Sequence, residues 1–132
     1  MSGTVRLVNL RDLRLEPGRS GLIHVTLFGE ETPTQNIRSG LFALQSGAQL
    51  DLHYHDVEEE QHVISGYATL IDSKGNEHEL TPGTTFYCPA GPEGAHGIKN
   101  TSDLQFVCLY MYYAPGGKQV SSTFVENPEQ GK

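Results

Sequence analysis

The stretch GAQLDLHYHDVEEEQHVISG, residues 47–66, decides how this chain folds and where its chemistry sits. Side chains on a β-strand alternate between two faces, so His53 and His55 share one face while Leu52 and Tyr54 share the other. Both imidazoles can then point into one pocket. After the acidic connection Asp56-Val57-Glu58 a second strand begins at Glu59, which has the same parity as Gln61, Val63 and Ser65. A hairpin of this kind brings Glu59 beside the histidine pair. Imidazole and carboxylate together suit a divalent transition metal, and a mixed nitrogen and oxygen set does not single out one among Zn, Fe, Mn, Ni and Co.

Outward from this segment the chain is a series of short alternating or β-branched runs closed by Gly, Pro, Asn and Asp clusters, which is an all-β pattern. Expected strands run over residues 5–9, 22–28, 37–45, 50–55, 59–65, 67–72, 77–80, 84–88, 96–100 and 105–113. The breaks Ser46-Gly47, Ser65-Gly66, Ser73-Lys74-Gly75-Asn76 and Pro82-Gly83 supply residues that tolerate positive φ or bond their own backbone. Many short strands closed by such turns predict a sandwich, jelly roll or barrel. The segment after Tyr113, Ala-Pro-Gly-Gly and then polar residues to Lys132, has little to bury and is expected to fray or to cross onto a partner subunit.

At 132 residues the chain is expected to form a single domain over residues 1–132, with the barrel core at about 37–113. A formal net charge of -7 disfavours nucleic acid and anionic membrane surfaces as partners. The first twenty residues have no basic run leading into an apolar one, and no apolar stretch is long enough to cross a bilayer, so a soluble, cytoplasmic protein is expected. Cys88 and Cys108 lie in apolar runs at a spacing unlike a zinc knuckle or a redox pair. Both are expected to be reduced core residues.

A second stretch, GTTFYCPAGPEGAHGIKN at residues 83–100, follows the first in a regular frame. Together, Gly47-x5-His53-x-His55-x3-Glu59-x6-Gly66 and Gly83-x5-Pro89-x-Gly91-x4-His96-x3-Asn100 resemble the two sequence motifs of the cupin superfamily. The resemblance spans roughly residues 37–113. It implies a double-stranded β-helix, or jelly-roll barrel, in which His53, His55, Glu59 and His96 bind one divalent metal. Glu60 is a rival to Glu59, although strand parity and the spacing to Gly66 favour Glu59. One departure is plain: the usual second motif has two residues between its Pro-x-Gly and its histidine, whereas Pro92-Glu93-Gly94-Ala95 puts four there. A longer loop of this kind should reshape the pocket mouth.

Other residues sort by parity. Gln61 faces inward with Glu59 and is the candidate catalytic residue, placed to orient a substrate or a metal-bound water. In small cupin lyases that cleave dimethylsulfoniopropionate, a tyrosine acts as the base at the corresponding place; Gln61 cannot remove a proton, so that carry-over fails. His62 should face away from the metal, and His78 should be a solvated strand residue. His24 is ambiguous between a core or interface residue and a partner of the site. Arg38 and Asn36 could bind a carboxylate. The run 106–113 must place tyrosines on both faces of its strand, with at least one in reach of the pocket. Leu50, Leu52 and Tyr54 should form an apolar outer stripe that a second subunit or the N-terminal segment would cover, so a homodimer is expected.

These features point to a metal-dependent enzyme acting on a small polar metabolite, with the metal as a Lewis acid in lyase or isomerase chemistry. A non-haem iron dioxygenase uses the same donor set. A non-catalytic small-molecule binding protein uses the same barrel.

Overall fold

The computed structural model describes residues 4–18 and 21–125. Eleven strands follow one another in the described chain: β1 Glu16–Pro17, β2 Leu22–Phe28, β3 Ile37–Leu44, β4 Gln49–His55, β5 Glu59–Ser65, β6 Ala68–Asp72, β7 Glu77–Leu80, β8 Thr85–Cys88, β9 His96–Lys99, β10 Phe106–Tyr113 and β11 Ser122–Phe124. They form two antiparallel sheets, ordered β1-β2-β3-β10-β5-β8 and β11-β4-β9-β6-β7. The architecture is an all-β jelly roll, and the only helical elements described are three-residue 3-10 turns. Among the described residues no helix is long and apolar enough to cross a membrane.

The space between the sheets is divided lengthwise. One end is a dry core of Phe42, Leu44, Val63, Leu70, Leu80, Ile98, Phe106 and Cys108. Alternation on β3, β5, β6, β7, β9 and β10 delivers these residues inward. Continuing the same inward parity toward the other end replaces apolar residues with Gln61 and Glu59 on β5, His96 on β9, and Tyr110 and Tyr112 on β10. The polar site therefore rests on a packed apolar floor, and the floor fixes the strand positions. Asn100 closes β9 at the core end, where its Nδ2 donates to Leu44 O and Leu104 O while its Oδ1 accepts from Ser102. This satisfied, fully buried amide has a structural role.

Three expectations are corrected. Residues 5–9 form no strand; the segment leads into the 3-10 turn Leu10–Asp12, and Val5 and Leu7 are both 87% exposed because nothing among the described residues covers them. Leu50 does not belong to an outer stripe. The β4–β9 register pairs Leu50 with Ile98 and His53 with His96, so β4 carries one extra residue. This bulge turns Leu50 inward against the core while keeping the histidines inward too. The third correction concerns the tail: residues 114–125 neither fray nor leave the molecule, but cross back to add β11 to the free edge of β4. Residues 126–132 lie outside the described residues.

Candidate metal centre

Each of the four expected donors arrives by a different local device. His53 and His55 sit two apart on β4, and His53 is the cross-strand partner of His96, the first residue of β9. Glu59, the first residue of β5, reaches over from the other sheet. Ring centroids lie 4.5 Å apart for His53 and His96, 4.9 Å for His53 and His55, and 5.8 Å for His55 and His96. Glu59 Oε1 stands 3.2 Å from His96 Nε2 and 3.6 Å from His55 Nε2. All four side chains are buried, none more than 5% exposed. The structure thus brings together the residues that spacing had singled out.

Hydrogen bonds settle which nitrogen each ring presents. His53 Nδ1 lies 2.8 Å from Asp51 O, and His96 Nδ1 lies 2.8 Å from Gly94 O. His55 Nδ1 lies 3.0 Å from Ser122 Oγ and 3.3 Å from Ser121 O. A carbonyl only accepts, so each Nδ1 donates and each Nε2 is turned to the interior. Such outer bonds orient a histidine for metal ligation. The loop before His96 follows from its sequence: Gly91, at φ 88°, starts the 3-10 turn Pro92–Gly94, and a Cβ at Gly94 would collide with the Pro89 carbonyl oxygen. The Gly91 amide donates to His55 O at 2.8 Å, which ties this loop to β4. This four-residue linker, two residues longer than the usual one, therefore supplies the carbonyl that orients His96.

The electrostatics separate the three imidazoles. Burial pushes the His53 pKa down to about 4, with the neighbouring His96 adding to the effect, and burial also lowers that of His55. His96 goes the other way, to about 10: burial alone would lower it, but Cys88 and the Glu59 carboxylate beside it outweigh that. Glu59 Oε1 and His96 Nε2 are fully buried and have no hydrogen-bond partner. A buried carboxylate oxygen is costly unless a positive charge, on His96 or on a metal ion, stands beside it. The donor set fits a divalent transition metal: His53, His55 and His96 offer ligand atoms within 4.8 Å of one another, and Glu59, Cys88 and His96 form a second such group.

Two cavities flank this centre. One, of about 500 Å³, lies between β6–β7 and β8 and is walled by Leu70, Leu80, Phe86, Cys88, Ala95 and His96. Glu93 and Gly94 of the inserted turn also line it, so the insertion does shape a pocket wall. The other, of about 410 Å³, is lined by His24, Thr26, Arg38, Tyr110, Tyr112 and Gln119. Between this second cavity and the metal centre stands Tyr112, whose Oη lies 3.4 Å from His55 Nε2. Burial, followed by the Glu59 charge, pushes the Tyr112 pKa up, so the phenol stays protonated.

The remaining candidates fall into place. Glu60 faces outward and pairs with His62 at 2.8 Å, away from the metal centre. His78 pairs with Asp72 on the surface, and His24 lies 3.7 Å from Glu16. Arg38 spends two of its donors on Lys118 O and Gly117 O, at 2.8 and 3.0 Å. Gln61 is 2% exposed, and its Oε1 accepts from Cys108 Sγ at 3.3 Å. Cys88 and Cys108 are both free and buried. Sequence reasoning missed Ser121, Ser122 and Phe124, whose ring centroid lies 5.3 Å from that of His53. It also left Tyr112 unresolved among the tyrosines and missed the placement of Cys88 in the site. For Cys88 a signal existed, since it shares inward parity with Phe86 just ahead of Pro89.

The family model for the cupin domain matches residues 40–112. No curated protein sequence matches the chain. Among solved structures, the polyketide cyclase RemF from Streptomyces resistomycificus superposes with a TM-score of 0.77 at 19% identity, over 94% of this chain and 89% of that one. A sugar phosphate isomerase of the cupin superfamily from Silicibacter pomeroyi gives 0.74 at 24% identity, over 92% and 83%. The DMSP lyase DddQ from Ruegeria pomeroyi gives 0.68 at 19% identity, over 87% of this chain and 58% of that one. At these identities the likeness is one of fold.

Proposed function

The chain belongs to the cupin family, and on that footing we propose that it is a divalent-metal-dependent enzyme acting on a small polar metabolite by non-oxidative lyase or isomerase chemistry. The observation that carries this is the pair of buried, unpartnered atoms, Glu59 Oε1 and His96 Nε2, set among three imidazoles whose Nε2 atoms face inward. We assign His53, His55, Glu59 and His96 as the ligands. A bound divalent cation supplies Lewis-acid polarisation of a carboxylate, carbonyl or enol oxygen.

The chain's own groups do the rest. The Nδ1 bonds fix the ring planes before substrate arrives, so no orientation is lost at the moment of reaction. Gln61 has its carbonyl oxygen occupied by Cys108, so it would orient a substrate oxygen by donating from Nε2. An amide takes no proton, and Tyr112 Oη is the hydroxyl best placed to hold or pass one at the mouth of the 410 Å³ cavity. Arg38, His24 and Glu30 on that cavity's wall suit a polar substrate. The solved structures named as a cyclase, an isomerase and a lyase lend the same direction of support. Two copies would pack through the outer face of sheet β2-β3-β10-β5, where Ile37, Met111 and Tyr113 are exposed.

The test is anaerobic turnover by protein loaded separately with Zn, Mn, Ni, Co and Fe(II), on a panel of small hydroxy- and ketocarboxylates. Product formed without oxygen supports the proposal. Oxygen uptake coupled to substrate loss moves the protein to the dioxygenases, and stoichiometric binding with no product makes it a binding module.

A further inference from the structure

Cys88 is a buried thiol that the proposed ligand set does not use. It ends β8, directly across from Glu59 in the β5–β8 register, and both side chains face the interior. Its sulfur, a Glu59 carboxylate oxygen and a His96 ring nitrogen all lie within 4.8 Å of one another. Glu59 and His96 also carry the buried atoms that make no hydrogen bond, Oε1 and Nε2. The thiol is 7% exposed as a residue, yet it forms part of the wall of the 500 Å³ cavity together with His96. Cys108 differs on every count: its thiol donates to Gln61 Oε1, it sits in the dry core, and burial pushes its pKa up to about 12.

We propose that Cys88 is a further donor to the metal, a thiolate sharing the ion with Glu59 and His96. The inference rests on the metal-centre assignment above and narrows it. Zinc bonds nitrogen at about 2.0–2.1 Å and sulfur at about 2.3 Å, so in its usual tetrahedral arrangement such donors stand about 3.6 Å apart. Drawing the sulfur in from 4.8 Å or less is a side-chain rotation, with β8 held in place by its pairing to β5. On binding, the S–H bond breaks heterolytically: sulfur keeps the electron pair as ligand and the proton passes to solvent. Nitrogen and oxygen donors alone leave the choice among divalent ions open, whereas a thiolate shifts it toward thiophilic ions, zinc foremost.

Cobalt(II) reports the donor atoms by its spectrum. Wild-type protein loaded with Co(II) should show visible ligand-field bands and a near-ultraviolet sulfur-to-cobalt charge-transfer band. Cys88→Ser should keep the visible bands and lose the near-ultraviolet one; Cys108→Ser should keep both. X-ray absorption of zinc-loaded wild-type protein gives the same answer without a variant, as a sulfur shell at about 2.3 Å beside the nitrogen and oxygen shell. Bound cobalt with no sulfur band, bound zinc with no sulfur shell, or a sulfur band that survives in Cys88→Ser overturns the thiolate and leaves the four-ligand reading standing. Wild-type protein that takes up neither metal overturns both.

Discussion

His53 and His96 are oriented by their own strands, whereas His55 is oriented from far along the chain. Each of the first two donates its Nδ1 to a carbonyl two residues earlier, Asp51 O and Gly94 O. Folding β4 and the Gly91–Ala95 turn therefore suffices to aim both rings. His55 instead depends on Ser121 O and Ser122 Oγ in the arm that follows β10. That arm is held by Arg38 on Gly117 O and Lys118 O, by the Lys118–Asp56 ion pair at 2.8 Å, and by the Ser121 amide on Asp56 Oδ1 at 3.0 Å. Part of the metal centre is thus built in with the barrel, and part is completed only when the arm docks.

The largest effect expected is from removing a ligand. His96→Ala should weaken Zn(II) binding by more than the 10- to 100-fold typical of outer-shell changes, measured by competition with a chromophoric chelator. Releasing the arm is the next step down. Asp56→Ala removes both the Lys118 pair and the Ser121 bond, and it should cost about 10-fold in zinc affinity through His55 alone. Asp51→Ala is the matched control on the other side, because the group that orients His53 is the Asp51 backbone carbonyl and the substitution leaves it in place. Its zinc affinity should equal that of wild type. Equal losses in the two variants would erase the distinction between a built-in and a docked half.

The smallest effect is electrostatic. The Lys118 ammonium, then the Ser121 amide, hold the Asp56 pKa at about 2, down from 3.8. A depressed carboxylate pKa stabilises the docked arm fully above the ordinary value, and that contribution is lost as pH falls from 3.8 through about 2. Lys118→Met should move the Asp56 carboxyl titration upward toward 3.8, read by carbon-13 NMR. The energetic gain from so exposed a pair is small, under about 1 kcal/mol.

The contrast also marks what was legible in the sequence. Alternation put His53, His55 and Glu59 on inward faces, and motif spacing added His96, because both depend on local period and short turns. Glu60 was separable from Glu59 by parity, and the outward Glu60–His62 pair follows the same rule. The bulge between Leu50 and His53 left no mark, since one added residue changes parity without changing composition. β11 was invisible for a different reason: three exposed residues have no period, and they pair only because the β4 edge is available. Cys88 read as core because its neighbours are apolar, and only the cross-strand register sets it against Glu59.

The central claim is that Glu59 and the three imidazoles converge on one divalent ion. It is tested most directly by elemental analysis of protein purified without added metal and after reconstitution, comparing wild type with Glu59→Gln and Glu60→Gln. The account predicts one ion per chain in wild type and in Glu60→Gln, and a loss of most of it in Glu59→Gln. Full occupancy in Glu59→Gln, or none in reconstituted wild type, would contradict it.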